Sequence, residues 1–400
     1  MQLPRVWAEV DLDAIANNLA VARALLKPGV KVLGVVKADA YGHGAAQVAA
    51  TLERCGIDML GVGDSNEAIQ LRQLGIKTPI LVLGGVVEGE IPDLIQHQIM
   101  PSVHSPERIA MFESHARRLG VRLPVHLLVD TGMSLLGVTP ANAPEYLRRI
   151  HEAPHLDLRG MGSHLASATT SVDFSQLQID RFRAVVDEVK LSGLPLPPLH
   201  MASSAGVVLY PEIHYDMVRL GGMLYGIPRV SHSPSALKPA LSLHTQIVHI
   251  RDIAPGTPVS YDGTFVATRP MRIATLPVGY HDGYLHHLSN RAQVLIHGMR
   301  APVIGRVTMD YVIVDLTDIA GTTVGDRVTL LGEQGDDSIT AVELGRWANT
   351  IPYEIPSHLG QRVRRIFLRS DDENLPGTAR PAIRRYLERI ELVLASGAAG

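Results

Sequence analysis

The strongest constraint on the fold is a rhythm. From about residue 8 to residue 230, short β-prone runs alternate with amphipathic helical stretches. The strand candidates are Val32–Val36, Met59–Val62, Ile80–Leu83, Ile99–Val103, Val125–Val129, Leu156–Met161, Leu199–Ala202 and Val218–Gly221. Between them lie helical patterns such as "HGAAQVAATLERCG", "SNEAIQLRQLG" and "SPERIAMFESHARRLG". The last opens on Ser105-Pro106-Glu107, a cap followed by proline at the first helical position, and Gly120 stops it. Strand–helix alternation with short connections means parallel βαβ units. About eight units predict a closed (β/α)₈ TIM-type barrel rather than an open doubly wound sheet, and in such a barrel the chemistry collects where strands end.

After about residue 236 the pattern changes. "ALSLHTQIVHIRDI", "MRIATLPVGY", "AQVLIHGMRAPVIGRVTMDYVIVDL" and "DRVTLLG" read as strands separated by Gly/Pro turns. This predicts a barrel over 1–235 and a mostly-β domain over 236–375, crossed by the helix "AVELGRWANTIP". A linker and an amphipathic helix, "AIRRYLERIELVLA", fill 376–400. A barrel plus one smaller domain accommodates 400 residues. A formal net charge of -3 gives no nucleic-acid footprint. The lone Cys55 excludes an internal disulfide framework, and no metal-ligand cluster is seen. "MQLPRVWAEVDLDAI" has acids where a signal peptide needs an apolar run, and no stretch reaches membrane-spanning length, so the chain reads as cytoplasmic.

The polar residues at the strand ends are Lys37, Asp64, Asp130, His164, Ser203, Ser204 and Arg219. Asp64 also fits a helix cap. Lys37 closes the apolar run of "VLGVVKADAYGHG". Desolvation favours a neutral amine, which can form a Schiff base or act as a base; pairing with Asp39 or reaching to solvent is the structural alternative. "SSAGVV" and "RLGGMLYG" offer small residues and backbone N–H groups after two late strands, where barrels often hold phosphate. Arg219 is a fixed cation in an apolar run and needs an anion or strong acceptor. Tyr280, in "LPVGYHDGY", is either an acid/base group or a packing tyrosine.

At "VVKADAYGHG" the sequence resembles the alanine racemase family, pyridoxal phosphate enzymes with a barrel and a C-terminal β domain. "WAEVDLDAIANNL", "VDTGMSLLGV", "GMGSHLAS", "HMASSAG", "VRLGGMLYG", "LPVGYHDGY", "VIGRVTMDYVIVDL" and "GQRVRRIF" carry the resemblance to about residue 370. It implies that Lys37 holds pyridoxal 5'-phosphate and serves as base on one face of the substrate. Tyr280 of a partner subunit would be the base on the other. Arg219 would meet the pyridine nitrogen, with His200 bonded to Arg219 and His164 supporting the ring. Tyr41, Ser204, Gly221 and Gly222 would hold the phosphate, and the backbone N–H of Met309, again the partner's, the substrate carboxylate. A homodimer with shared sites follows.

Three positions depart from the family pattern. Its "DTGM" segment carries a lysine, usually carbamylated, and an arginine that it positions against the substrate carboxylate. Leu128 and Leu135 stand there instead. Losing both is coherent, because removing one member of a buried pair leaves an uncompensated charge, at roughly 3–5 kcal/mol. Gln361 stands where the family often has a phosphate-binding tyrosine, and its amide can still donate. The leading expectation is two-base racemisation of L- and D-alanine. A family paralogue acting on another amino acid is the alternative, and a non-catalytic pyridoxal phosphate-binding protein the third.

Overall fold

The computed structural model describes residues 4–227 and 234–370. The expected linker and terminal helix over 376–400 lie outside the described residues. The chain divides into two compact units. Among the described residues, one comprises 15–227, 234–239 and 341–359; the other comprises 4–14, 240–340 and 360–370.

The first unit is a parallel sheet that returns on itself. Its hydrogen-bonded order runs Ile99–Met100, Ile80–Val82, Met59–Val62, Lys31–Val35, Met217–Leu220, Leu199–Ser203, Leu156–Gly162, Leu123–Leu128 and Ser102–Val103. The two terminal members are halves of one stretch, interrupted at Pro101, which has no N–H to give the ladder. Each half pairs with a different neighbour, Ile99 with Ile80 and Ser102 with His126. The ring therefore closes through Pro101, and the eight expected strands form a barrel.

These strands are short and mostly apolar, as strands covered on both faces are. Lys31–Val35 is buried from Val32 onward, and Ile80–Val82 and Met217–Leu220 are buried throughout. Leu33, Val35, Leu81, Met100 and Met217 form a buried cluster drawn from four strands. The helices follow the expected pattern. Ala45–Arg54 buries Val48, Ala49 and Leu52, and Pro106–Arg118 starts with proline in its first turn and buries Ile109, Phe112 and Ala116.

The second unit is built on antiparallel pairings, except that Val6–Asp11 and Arg364–Leu368 run parallel. Its main sheet runs Met299–Pro302, Gln293–Ile296, Arg327–Gln334, Leu241–Gln246, Val6–Asp11 and Arg364–Leu368, with Asp337–Ile339 added to Arg327–Gln334. A three-stranded sheet of His249–Ile253, Met271–Leu276 and Val312–Asp315 shares a core of Ile253, Met271, Ile273 and Ile304. Two segments fall elsewhere than the local pattern suggested. Val6–Asp11 pairs with Leu241–Gln246 and Arg364–Leu368 in this sheet, and the helix Ala341–Ala348 groups with the barrel. Periodicity says that a segment is a strand or a helix; it does not say which core it joins.

Candidate functional site

Seven of the expected site residues sit at or just beyond barrel strand ends. Lys37 follows Lys31–Val35, His164 follows Leu156–Gly162, and Ser204 follows Leu199–Ser203. Leu128 ends Leu123–Leu128, and Arg219 lies in Met217–Leu220, ahead of Gly221 and Gly222. All of these, with Tyr41, Leu135 and His200, line one cavity of about 360 Å³.

Arg219 organises its floor. The side chain is buried, and its guanidinium donates to the backbone carbonyls of His200 at 3.0 Å, Met201 at 3.2 Å and Ser163. It also meets Nδ1 of His200, and Nδ1 of His164 at 3.1 Å. A guanidinium can only donate, so both imidazole nitrogens accept. His200 therefore carries its proton on Nε2 and donates to Nδ1 of His126 at 2.9 Å. The chain of donors fixes each tautomer and keeps the rings neutral. Burial, then Arg219, then Lys37, brings His164 down to about 3. Burial and Arg219 bring His126 down to about 4 and push His200 well below the ordinary imidazole value. Burial lowers Arg219 to about 10, which still leaves it charged at neutral pH.

The opposite end is a cradle. Ser204 Oγ accepts from the N–H groups of Gly221 at 3.0 Å and Met223 at 3.2 Å, which leaves its own proton to donate. A Cβ at Gly221 would lie 2.6 Å from the Tyr41 hydroxyl, and one at Gly222 would lie 2.3 Å from Cε1 of Tyr353, so only glycine fits beside these rings. Burial, and secondarily Tyr353, raises the Tyr41 phenol to about 12, so it remains an O–H donor at neutral pH. Two hydroxyl donors beside a side-chain-free backbone suit a phosphate, and a lysine and an arginine complete the charge balance.

The third wall is apolar. Leu128 and Leu135 line the cavity together with Met133 and Leu136. Leu128 is half-buried, whereas Leu135 is 72% exposed. Asp130 also lines the cavity and shapes this loop: its Oδ1 accepts the N–H groups of Gly132, Met133 and Ser134 at 2.7–3.1 Å. Asp64 likewise caps a helix, accepting the N–H of Glu67 at 2.9 Å.

The remaining expected residues belong to the β-rich unit. Tyr280 and Met309, 43% and 51% exposed, sit on adjoining loops: the Tyr280 N–H donates to Thr308 at 3.0 Å and that of His281 to Met309 at 3.3 Å. Arg362 braces both loops, donating to the buried Asp282 carboxylate at 3.0 and 3.2 Å and to Asp310 at 2.7 Å. Gln361 is exposed. Tyr353 lines the barrel cavity, with its ring 5.8 Å from that of Tyr41. The sequence reading missed Tyr353 because it assigned "TIPYEIPS" to the β domain. The left-handed turn after Lys37 was also missed: Ala38, Asp39, Ala40 and Tyr41 all have φ between 52° and 55°. Such a conformation costs about 1–2 kcal/mol for each non-glycine residue.

Family models match both parts of the chain. "Alanine racemase, N-terminal domain" matches residues 10–228, and "Alanine racemase, C-terminal domain" matches residues 240–367. The chain belongs to the alanine racemase family. It is 41% identical over 364 residues to the alanine racemase of Syntrophobacter fumaroxidans, covering 90% of this chain and 97% of that one. The alanine racemase of Methanococcus maripaludis is 38% identical over 368 residues, covering 91% and 98%. Among solved structures, alanine racemase from Bacillus anthracis with bound L-Ala-P superposes with a TM-score of 0.86 at 33% identity, covering 93% of this chain and 97% of that one. The Bartonella henselae enzyme with covalently bound pyridoxal phosphate gives 0.83 at 30%, covering 92% and 100%. The barrel, the β-rich unit and the isomerase class are thus the family's.

Proposed function

We propose that this chain is a cytoplasmic racemase that interconverts L- and D-alanine, using pyridoxal phosphate and two bases, Lys37 and Tyr280 of a second copy. The observation that carries this reading is the barrel cavity itself. There a strand-end lysine, a buried arginine and a glycine cradle with two hydroxyl donors face one space. Ser204, Tyr41 and the Gly221–Gly222 backbone would take the phosphate. Lys37 would hold the cofactor covalently, and Arg219 would meet its ring nitrogen.

When bound, pyridoxal phosphate supplies an electron sink for the pair left at Cα when its proton departs. Arg219 moderates that sink, because a guanidinium donates and gives up no proton, so the nitrogen opposite stays unprotonated. The neutral His164 and His200 accept from Arg219 and hold its plane. Lys37 takes the Cα proton from one enantiomer, and the Tyr280 hydroxyl gives one to the opposite face. Reversal exchanges the two roles.

The exposure of Tyr280 and Met309 on adjoining, Arg362-braced loops supports a homodimer in which these loops serve the partner's site. The apolar wall of Leu128, Met133, Leu135 and Leu136 favours a second reading, a racemase for an amino acid other than alanine. Incubating the purified holoenzyme with a panel of L-amino acids, and separating enantiomers by chiral chromatography, tests both. Alanine inverted fastest supports the first reading; a bulkier substrate inverted fastest replaces it with the second.

A further inference from the structure

The backbone that presents Lys37 is strained and needs an external support. Ala38, Asp39 and Ala40 hold φ/ψ of 53/53, 52/45 and 55/50, and Tyr41 continues with φ 55. In "KADAY" only Asp39 is of a type that visits this shape, and the two alanines and the tyrosine gain nothing from a left-handed turn. Strained backbone persists only where its surroundings over-determine it.

Two carboxylates supply the fixing contacts. Asp39 Oδ1 accepts the N–H of Ala45 at 2.7 Å, which ties the end of the turn to the next helix. The start of the turn is tied by Glu67, from the first turn of Ser65–Gln73. Its Oε1 accepts the N–H of Ala38 at 2.6 Å, and its Oε2 accepts the N–H of Gly63 at 2.7 Å. One carboxylate therefore bridges the residue after Lys37 to the loop leaving the neighbouring strand. A Cβ at Gly63 would lie 3.3 Å from Glu67 Oε2 and 3.6 Å from Cβ of Lys37, so the lysine stem and this bridge occupy the same small region. Glu67 does not line the cavity, so any effect on the reaction passes through the backbone.

The chemistry of the bridge is specific to a carboxylate. Both groups facing Glu67 are backbone donors, and each meets a different oxygen of the carboxylate, Ala38 at Oε1 and Gly63 at Oε2. A glutamine satisfies one and turns an N–H toward the other.

We propose that Glu67 is a positioning residue, clamping the left-handed turn at Ala38 to Gly63 and so setting the direction in which Lys37 enters the cavity. This rests on the reading of Lys37 as the cofactor-bearing base. The test compares Glu67→Gln with Asp64→Ala, which removes the cap on the Glu67 backbone N–H but leaves the Glu67 carboxylate and its two donors in place. In Glu67→Gln holoenzyme, kcat for alanine falls about 10- to 100-fold, the scale of a small misplacement of a reacting group, while KM changes little. In Asp64→Ala the melting temperature falls and kcat holds. Equal kcat loss in both variants, or none in Glu67→Gln, overturns the proposal. Amide hydrogen exchange on the wild-type protein decides the matter even if Glu67→Gln does not fold. Slow exchange at Ala38 and Gly63 is expected, and open-chain exchange at Ala38 overturns the clamp. A wild-type protein that fails to racemise alanine refutes the functional reading and leaves the exchange result standing.

Discussion

Leu135→Arg probes a position where the resemblance to the family implies an arginine. The substituted position lines the cavity, and the native leucine is 72% exposed, so a guanidinium there keeps most of its water. The apolar burial given up is small, about 0.5 kcal/mol for the remaining fraction of a leucine side chain. A charge-assisted contact to a substrate carboxylate contributes about 1.5–3 kcal/mol. The net gain of about 1–2.5 kcal/mol corresponds to roughly a 5- to 70-fold rise in kcat/KM for alanine, carried mostly by KM. Leu128→Lys behaves differently. Leu128 is half-buried in an apolar wall, so an ammonium there is poorly solvated and lies beside any new arginine as a like charge. The double variant should therefore surpass Leu135→Arg only with added bicarbonate, which carbamylates the lysine and reverses its sign. The assay is initial-rate racemisation of L-alanine, followed by chiral chromatography, for both single variants and the double, with and without bicarbonate. A Leu135→Arg variant whose KM for alanine equals that of the wild type would refute the assignment of this position to the carboxylate.

Three further outcomes follow from buried contacts. Arg362→Ala strips the partner from the fully buried Asp282 carboxylate, and urea denaturation should show a lower midpoint, with reduced turnover as the Tyr280 loop loosens; an unchanged midpoint would contradict the brace. Gly42→Ala puts a Cβ 1.8 Å from the Pro356 carbonyl at a φ of +79°, so the variant should be insoluble or lose several kcal/mol in the same measurement; a neutral result would contradict the described packing. Acid should weaken the barrel through its neutral histidines. His164 and His126 titrate near 3 and 4 in the folded protein but near 6.5 in the unfolded chain. Between those values the unfolded state binds more protons, so stability falls as pH drops below about 6.5, at up to about 1.4 kcal/mol per pH unit for each. Urea midpoints at about pH 7.5 and pH 5 test this, and equal midpoints would contradict it.

Most of the barrel was legible because its strands are apolar runs bounded by polar residues, a pattern that local chemistry alone produces. The eight expected segments all appear, one of them broken by Pro101. The cavity was legible through its strand-end residues, since Lys37, His164, Ser204 and Arg219 interrupt otherwise apolar stretches. Asp64 and Asp130 carry the same signal and turn out to cap a helix and a loop, so a charge at a strand end does not by itself mark the reaction. Long-range partners were not legible. Nothing in "VWAEVD" says that it pairs with residues more than 230 positions away, and nothing in "PYEIPS" says that Tyr353 stands beside Gly222. The left-handed turn was hidden for another reason. Part of its support comes from Glu67, 29 positions away, and both alanines and the tyrosine of the turn disfavour it.

The central claim, a two-base reaction shared between Lys37 and Tyr280, is tested most directly by isotope exchange at Cα. Wild-type holoenzyme and the Tyr280→Phe variant are incubated in deuterated water with L-alanine and, separately, with D-alanine. Deuterium at Cα and inversion are followed together by NMR and chiral chromatography. The wild type should exchange and invert both enantiomers. Tyr280→Phe should still exchange the enantiomer whose Cα proton faces Lys37, without inverting it. Inversion at the wild-type rate in Tyr280→Phe would contradict the claim.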